Sequence, residues 1–182
     1  MGQYYTPLAI TENGEKASFH AHKFGNGLKL MEHSYMGNNF VAAVLNWIHT
    51  YGPARLWWMG DCSDPSDFEN TEIKFSKKEL DKINSNVYDV APREQDENFK
   101  KYIVANLTKK EYIDLFDFER GDVCPVPLLT AVGNSRGGGD YWGQCQNEVG
   151  SWAGDLLDCS EIVPDAFVQQ GFTKKQVFFE EE

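Results

Sequence analysis

The sequence predicts an α+β fold: an antiparallel, hairpin-rich sheet packed by one main helix over about 39–51, with a polar insertion over about 61–99. Three observations carry this. Two strand-like runs flank Glu12-Asn13-Gly14, a second pair flanks Thr108-Lys109-Lys110, and one stretch between them has helical period. With 182 residues the chain is read as one domain, 1–182, long enough to bury roughly 70% of its unfolded surface.

The elements follow in order. Residues 3–11 (QYYTPLAIT) and 15–22 (EKASFHAH) are strand-like, and Asn-Gly between such runs is a hairpin signal. Pro7 places the first run at a sheet edge or at a strand start. Met1-Gly2-Gln3-Tyr4-Tyr5-Thr6 also matches a loose myristoylation pattern, but it reads better as the approach to this strand. In FVAAVLNWIHTYGP, Phe40, Val44 and Ile48 share one stripe with Val41, Leu45 and Tyr51 beside it. Asn38 or Asn39 caps this helix and Gly52-Pro53 ends it. Arg55–Met59 is a short apolar strand, followed by the polar insertion, which is read as surface-mounted and weakly apolar. Inside it, Ser76 and Glu79 form the capping-box pattern of a helix over 76–85. Residues 101–107 and 111–115 make the second hairpin, 149–157 resumes an extended pattern, and 175–179 is strand-like before an acidic tail, 180–182.

Composition narrows the function classes. Twenty-eight acids against seventeen bases give a net charge of −11, which argues against direct nucleic-acid binding and allows association with a basic surface. No run approaches the about 18 apolar residues of a membrane span, and the start lacks a secretory signal pattern, so a cytoplasmic protein is expected. Cys62, Cys124, Cys145 and Cys159 have no C-x-x-C spacing and read as free thiols. His20 and His22 alternate onto one face, but no third ligand falls at a telling spacing, so no metal and no cofactor are expected. His33-Ser34 lacks the G-x-S-x-G elbow of a serine nucleophile.

The densest motif is GNSRGGGDYWG, 133–143, with five glycines in eleven positions. It is not a P-loop, because no Lys-Ser or Lys-Thr follows a glycine, and not a dinucleotide fingerprint, because Trp142 stands where the last glycine belongs. Three readings stay open. Arg136 can clamp a carboxylate or phosphate, with Asp140 as a lone base. Arg136, Tyr141 and Trp142 can face a partner protein. Or the segment is a crossover held by its own polar side chains. An internal echo, W-x-G-D at 58–61 and 152–155, reads as two strand-end turns.

GNGLKLMEHS (25–34), GNSRGGGDYWG (133–143) and VGSWAGDLL (149–157), on a chain beginning MGQYY, together resemble a family of small bacterial and phage proteins. Its shared marks, G-x-G-L-K-L, G-N-x-R-G-G-G-D and W-A-G-D, imply no chemistry. In length, acidity and overall character the chain also resembles type II-A anti-CRISPR proteins of gut Firmicutes, a likeness without a diagnostic motif. That second resemblance implies a non-enzymatic inhibitor whose partner is the guide-RNA-loaded effector nuclease. Such a nuclease carries cationic channels that carboxylates can occupy in place of phosphates. The acids expected to do so are Asp61, Asp64, Asp67, Glu69 and Glu72, with Glu111, Asp114, Asp117, Glu119 and Asp122.

Overall fold

The structure, a computed structural model, describes residues 2–180. The strands are β1 (Tyr5–Thr11), β2 (Lys16–Ser18), β3 (Ala54–Gly60), β4 (Ile103–Asn106), β5 (Glu111–Asp114), β6 (Ala131–Val132), β7 (Leu156–Ser160) and β8 (Thr173–Lys174). The α-helices are α1 (Leu30–His33), α2 (Asn39–Tyr51), α3 (Lys77–Asn84), α4 (Pro125–Leu129) and α5 (Asp165–Gln169). One sheet runs in the order β2-β1-β3-β7-β4-β5-β8, with β6 paired to β3. It is mostly antiparallel; β3 with β6 and β5 with β8 are parallel. The fold is therefore α+β.

The local signals act as expected. Gly14 takes φ +85° at the first hairpin. Asn38 accepts from the amides of Phe40 and Val41, and α2 then runs to Tyr51. Ser76 and Glu79 close their capping box at the start of α3. Two expectations need correction. The strand near the C-terminus is Thr173–Lys174; residues 175–179 add no ladder, although Val177 and Phe179 are buried and Phe178 is exposed. Their alternation is that of an extended segment lying on the core, tethered by Lys175 N–H donating to the Tyr112 carbonyl. Likewise 149–154 is a turn with Gly150 and Gly154 at positive φ, and extended structure resumes only at Leu156. Of the acidic tail, Glu181 and Glu182 lie outside the described residues, as does Met1.

β3 is the spine. It pairs with β1 along its whole length, from Tyr5↔Gly60 to Thr11↔Ala54. Its other edge is shared: β7 takes the start at Ala54↔Leu157 and Arg55↔Leu156, and β6 takes Trp58 and Met59. Alternation then sorts its side chains. Ala54, Leu56 and Trp58 join Tyr5 and Ala9 in the core under α2, while Trp57 and Met59 join Leu8 and Ile10 on the opposite face.

That opposite face is covered by the insertion, which is not the weakly apolar surface addition the composition implies. Phe68, Phe75, Leu80 and Ile83 are buried against Trp57, Met59, Leu8 and Ile10. The chain then crosses the sheet edge. Ser18 N–H donates to the Tyr88 carbonyl and Val90 N–H donates to the Ser18 carbonyl, each at 2.8 Å, so this segment pairs with the outer side of β2. Beyond it, Asp96 is buried and accepts from Asn46 of α2 at 3.3 Å. The insertion is a strap that starts on one face, closes the β2 edge and finishes on the other. A covered edge also removes a template for unwanted strand pairing.

Candidate functional site

The polar groups of the glycine-rich loop, 133–143, are bonded largely to the protein itself. Asp140 is buried, and its carboxylate accepts from Tyr5 Oη at 2.9 Å, Arg136 N at 2.9 Å and Gly137 N at 3.0 Å. Burial first, and then the Asp140 charge, hold the Tyr5 hydroxyl well above the usual phenol range, so it stays a proton donor. Gln3 joins the network, donating from Nε2 to Tyr5 Oη at 2.7 Å and to the Gly133 carbonyl at 2.8 Å. A carboxylate with three donors already in place serves as an anchor and faces no open space as a base.

The glycines have a steric reason. A Cβ on Gly137 would lie 2.6 Å from the Gln3 backbone nitrogen, and one on Gly139, at φ +84°, would run into the Lys29 side chain. Backbone bonds complete the junction: Met31 N–H donates to Gly139 O at 3.0 Å and Tyr5 N–H to Leu28 O at 2.8 Å. The segments QYY, GNGLKL and GNSRGGGD, distant in sequence, are thus one packed junction. The third motif, W-A-G-D, lies elsewhere, with buried Trp152 donating to Glu111 at 2.8 Å.

Arg136 points away from the loop core. Its two terminal nitrogens reach Asp67 at 2.7 and 2.5 Å, and Nη1 also reaches the Cys62 carbonyl at 2.9 Å. The fork that could clamp a ligand therefore clamps the start of the strap, and hydrogen bonding to Asp67 raises the guanidinium pKa. Tyr141 is buried edge-on to Phe179 at 5.1 Å, so it does not reach a partner. Trp142 alone of the loop's aromatics is exposed, at 57%.

The ten predicted acids do not form one surface. Asp61 follows the end of β3, whereas Glu111 is in register with Asn106, hence with Leu157 and Ala54 at the start of β3. The six steps from Ala54 to Gly60 span about 20 Å at strand rise. Nor are the acids equally free. In the second segment Glu111 accepts from Trp152, Asp114 caps Phe116 N, Asp117 pairs with Lys174 at 2.7 Å, and Asp122 accepts from Glu119 N. In the first, Asp67 pairs with Arg136 and Glu72 with Arg55. Asp61 accepts from Tyr4 N at 3.1 Å and Asp64 from Ser66 N at 2.9 Å, yet both residues are exposed. Bonds from the Ser66 side chain and backbone lower the Asp64 pKa, keeping it ionised. Only the carboxylates of Glu69 and Glu119 have no hydrogen bond or ion pair among the described residues.

His20 and His22 touch edge to face at a ring separation of 5.4 Å. His33 is fully buried, with Nδ1 2.9 Å from the Gly27 carbonyl and Nε2 2.8 Å from Trp58 Nε1. An indole N–H only donates, so His33 Nε2 accepts and the ring is neutral. Burial pushes its pKa down to about 4. Ser34 Oγ donates to the Leu30 carbonyl at 2.7 Å, so the adjacent pair makes no nucleophile. No group of three or more His, Cys, Asp or Glu among the described residues is placed to hold a metal ion. Sequence reasoning missed Gln3, Tyr5 and Lys29 as loop-holding residues; their partners are 110 or more positions away, beyond any local pattern.

Fold and site together define an α+β chain with an internally braced glycine junction and an acidic strap. No helix among the described residues is long and apolar enough to cross a membrane. Comparison with known proteins gives no match: no family model, no curated protein and no solved structure is significantly similar to the chain.

Proposed function

We propose that the protein is a non-enzymatic inhibitor of a guide-RNA-loaded type II CRISPR nuclease, working in the cytoplasm of the host cell by acidic contacts that hinder DNA engagement. The observation that carries this is the turn at 61–69. There Asp61 and Asp64 are exposed carboxylates fixed by backbone amides, and Glu69 adds a third charge with no partner among the described residues. Fixed carboxylates lose little side-chain freedom on meeting cations, so more of the interaction survives as affinity. The segment 111–122 is the weaker half, because Trp152 and Lys174 already engage three of its acids.

The test is cleavage of target DNA by guide-loaded nuclease with and without this protein. Inhibition that fades as salt rises, and that is lost in Asp61→Lys/Asp64→Lys/Glu69→Lys, is the expected result. Glu119→Lys is expected to matter less. Unchanged cleavage at large molar excess across several nuclease orthologues ends the proposal.

A further inference from the structure

A cavity away from the junction and from the strap's acidic turn is bordered by charges of both signs. It has a volume of about 280 Å³ and is bordered by Met36, Gly37, Glu97, Asn98, Phe99, Lys101 and Arg120. The chain has four arginines; Arg55, Arg93 and Arg136 each pair with a carboxylate. Arg120 makes no hydrogen bond or ion pair among the described residues, in a chain with eleven more acids than bases. Glu97, on the same cavity, is also without one, and the two are not close enough to pair with each other. A cation and an anion that share a cavity yet leave each other unpaired are complementary to a ligand carrying both signs.

The frame that holds Arg120 is rigid. Met36 N–H donates to the Asp122 carbonyl at 2.8 Å and Gly121 N–H to the Met36 carbonyl at 3.0 Å, clamping 35–37 against 120–123. Gly37 sits at φ +89°, and a Cβ there would come within 3.0 Å of the Arg120 Cγ, so the arginine stem lies directly over the glycine. Lys101 Nζ is held at 2.5 Å from the Phe118 carbonyl, adding a second positive charge. Phe99 and Met36 supply an apolar wall packed on the main core.

We infer that this cavity binds a small zwitterion of the α-amino-acid type. The carboxylate meets the Arg120 guanidinium with Lys101 beside it, the ammonium meets Glu97, and an apolar side chain lies on Phe99 and Met36. A planar guanidinium suits a carboxylate because it can offer two parallel N–H donors. The volume falls just below the roughly 300–1,000 Å³ of pockets for drug-sized ligands, which fits a single amino acid. This inference is independent of the acidic turn and of the nuclease.

Amide-shift titration of the full chain by NMR, with L-leucine, acetate and methylamine as separate probes, tests it. Leucine is expected to give saturable shifts at Gly37, Asn98 and Phe99, with acetate and methylamine each binding at least about tenfold more weakly. Arg120→Ala and Glu97→Gln are each expected to weaken leucine about tenfold or more, since each removes one charge-assisted contact. Both residues are exposed, so both variants should melt with the wild type, and the melt confirms that they fold. Three results overturn the inference: no saturable shifts with leucine, shifts that persist in Arg120→Ala, or acetate binding as well as leucine with no effect of Glu97→Gln.

Discussion

The two faces of the antiparallel β1–β3 pair are both buried, yet one is covered by regular structure and the other by the strap. Under α2, Trp58 meets Phe40 at a ring separation of 5.7 Å and His33 at 5.8 Å, and its indole N–H has an acceptor. On the far face, Trp57 meets Phe75 at 5.2 Å, and Phe75 meets Phe68 at 4.9 Å. Both clusters use edge-to-face aromatic contacts. The difference lies in what delivers the aromatics. On α2's side the aromatics come from two α-helices, Phe40 from α2 and His33 from α1, whereas the strap supplies Phe68 from a single 3-10 turn, 65–68, and Phe75 from irregular chain. A polar average composition therefore does not exclude a buried layer when a few large residues are placed against a sheet.

The largest effect expected on this comparison is at Trp58. Trp58→Ala removes a fully buried indole and orphans the acceptor on His33, and about 4 kcal/mol or more of stability should be lost in denaturant unfolding. Phe75→Ala on the strap face is expected to cost about 3 kcal/mol. If the faces form one cooperative unit, fluorescence and circular dichroism will lose that stability together; separated transitions would show that the strap face unfolds by itself.

The helix face also carries a pH dependence that the strap face lacks a counterpart for at its core. His33 is neutral when folded, with its pKa lowered to about 4 by burial, against about 6.5 when unfolded. Above about pH 6.5 neither state binds the proton, so this group's linkage is flat. Between about 6.5 and 4 the unfolded chain binds the proton and the folded chain does not, so stability falls as pH falls, by about 3 kcal/mol across the window. Denaturation midpoints at pH 7 and pH 5 should show about 2 kcal/mol of this drop, and His33→Gln should reduce the slope.

Smaller effects report on the strap's fastenings. Ser76→Ala opens the capping box of α3 and should cost about 1 kcal/mol by thermal melting. Arg136→Ala releases Asp67 and the Cys62 carbonyl, but the arginine is partly exposed, so about 1 kcal/mol at most is expected. Its sharper readout is hydrogen exchange: amides at 61–69 should exchange faster while those of α2 do not change.

Legibility in the sequence follows the range of each interaction. The α2 boundaries, the second hairpin and the Ser76–Glu79 box rest on groups within a few residues of each other, and all appear where the pattern placed them. The first hairpin turns at Asn13-Gly14 as expected, but of 15–22 only Lys16–Ser18 is strand, and Pro7 sits within β1, between β2 and β3. The strap's second face was hidden because Phe68, Phe75, Leu80 and Ile83 show no common period until Trp57 and Met59 are set beneath them. The acids were visible as a count, but Arg136 on Asp67, Arg55 on Glu72 and Lys174 on Asp117 are pairings across 69, 17 and 57 positions.

By itself, then, the sequence determined the α+β class, the helix, the hairpins and an excess of negative charge. Each is local or compositional, and hydrogen bonds within a turn or a strand's alternation decide it. Tertiary structure alone decided which charges remain free and what the glycines at 133–143 are for. Those depend on chain segments brought together by packing: Gln3 and Lys29 crowd Gly137 and Gly139, Tyr5 donates to Asp140, and Arg120 pairs with no acid among the described residues.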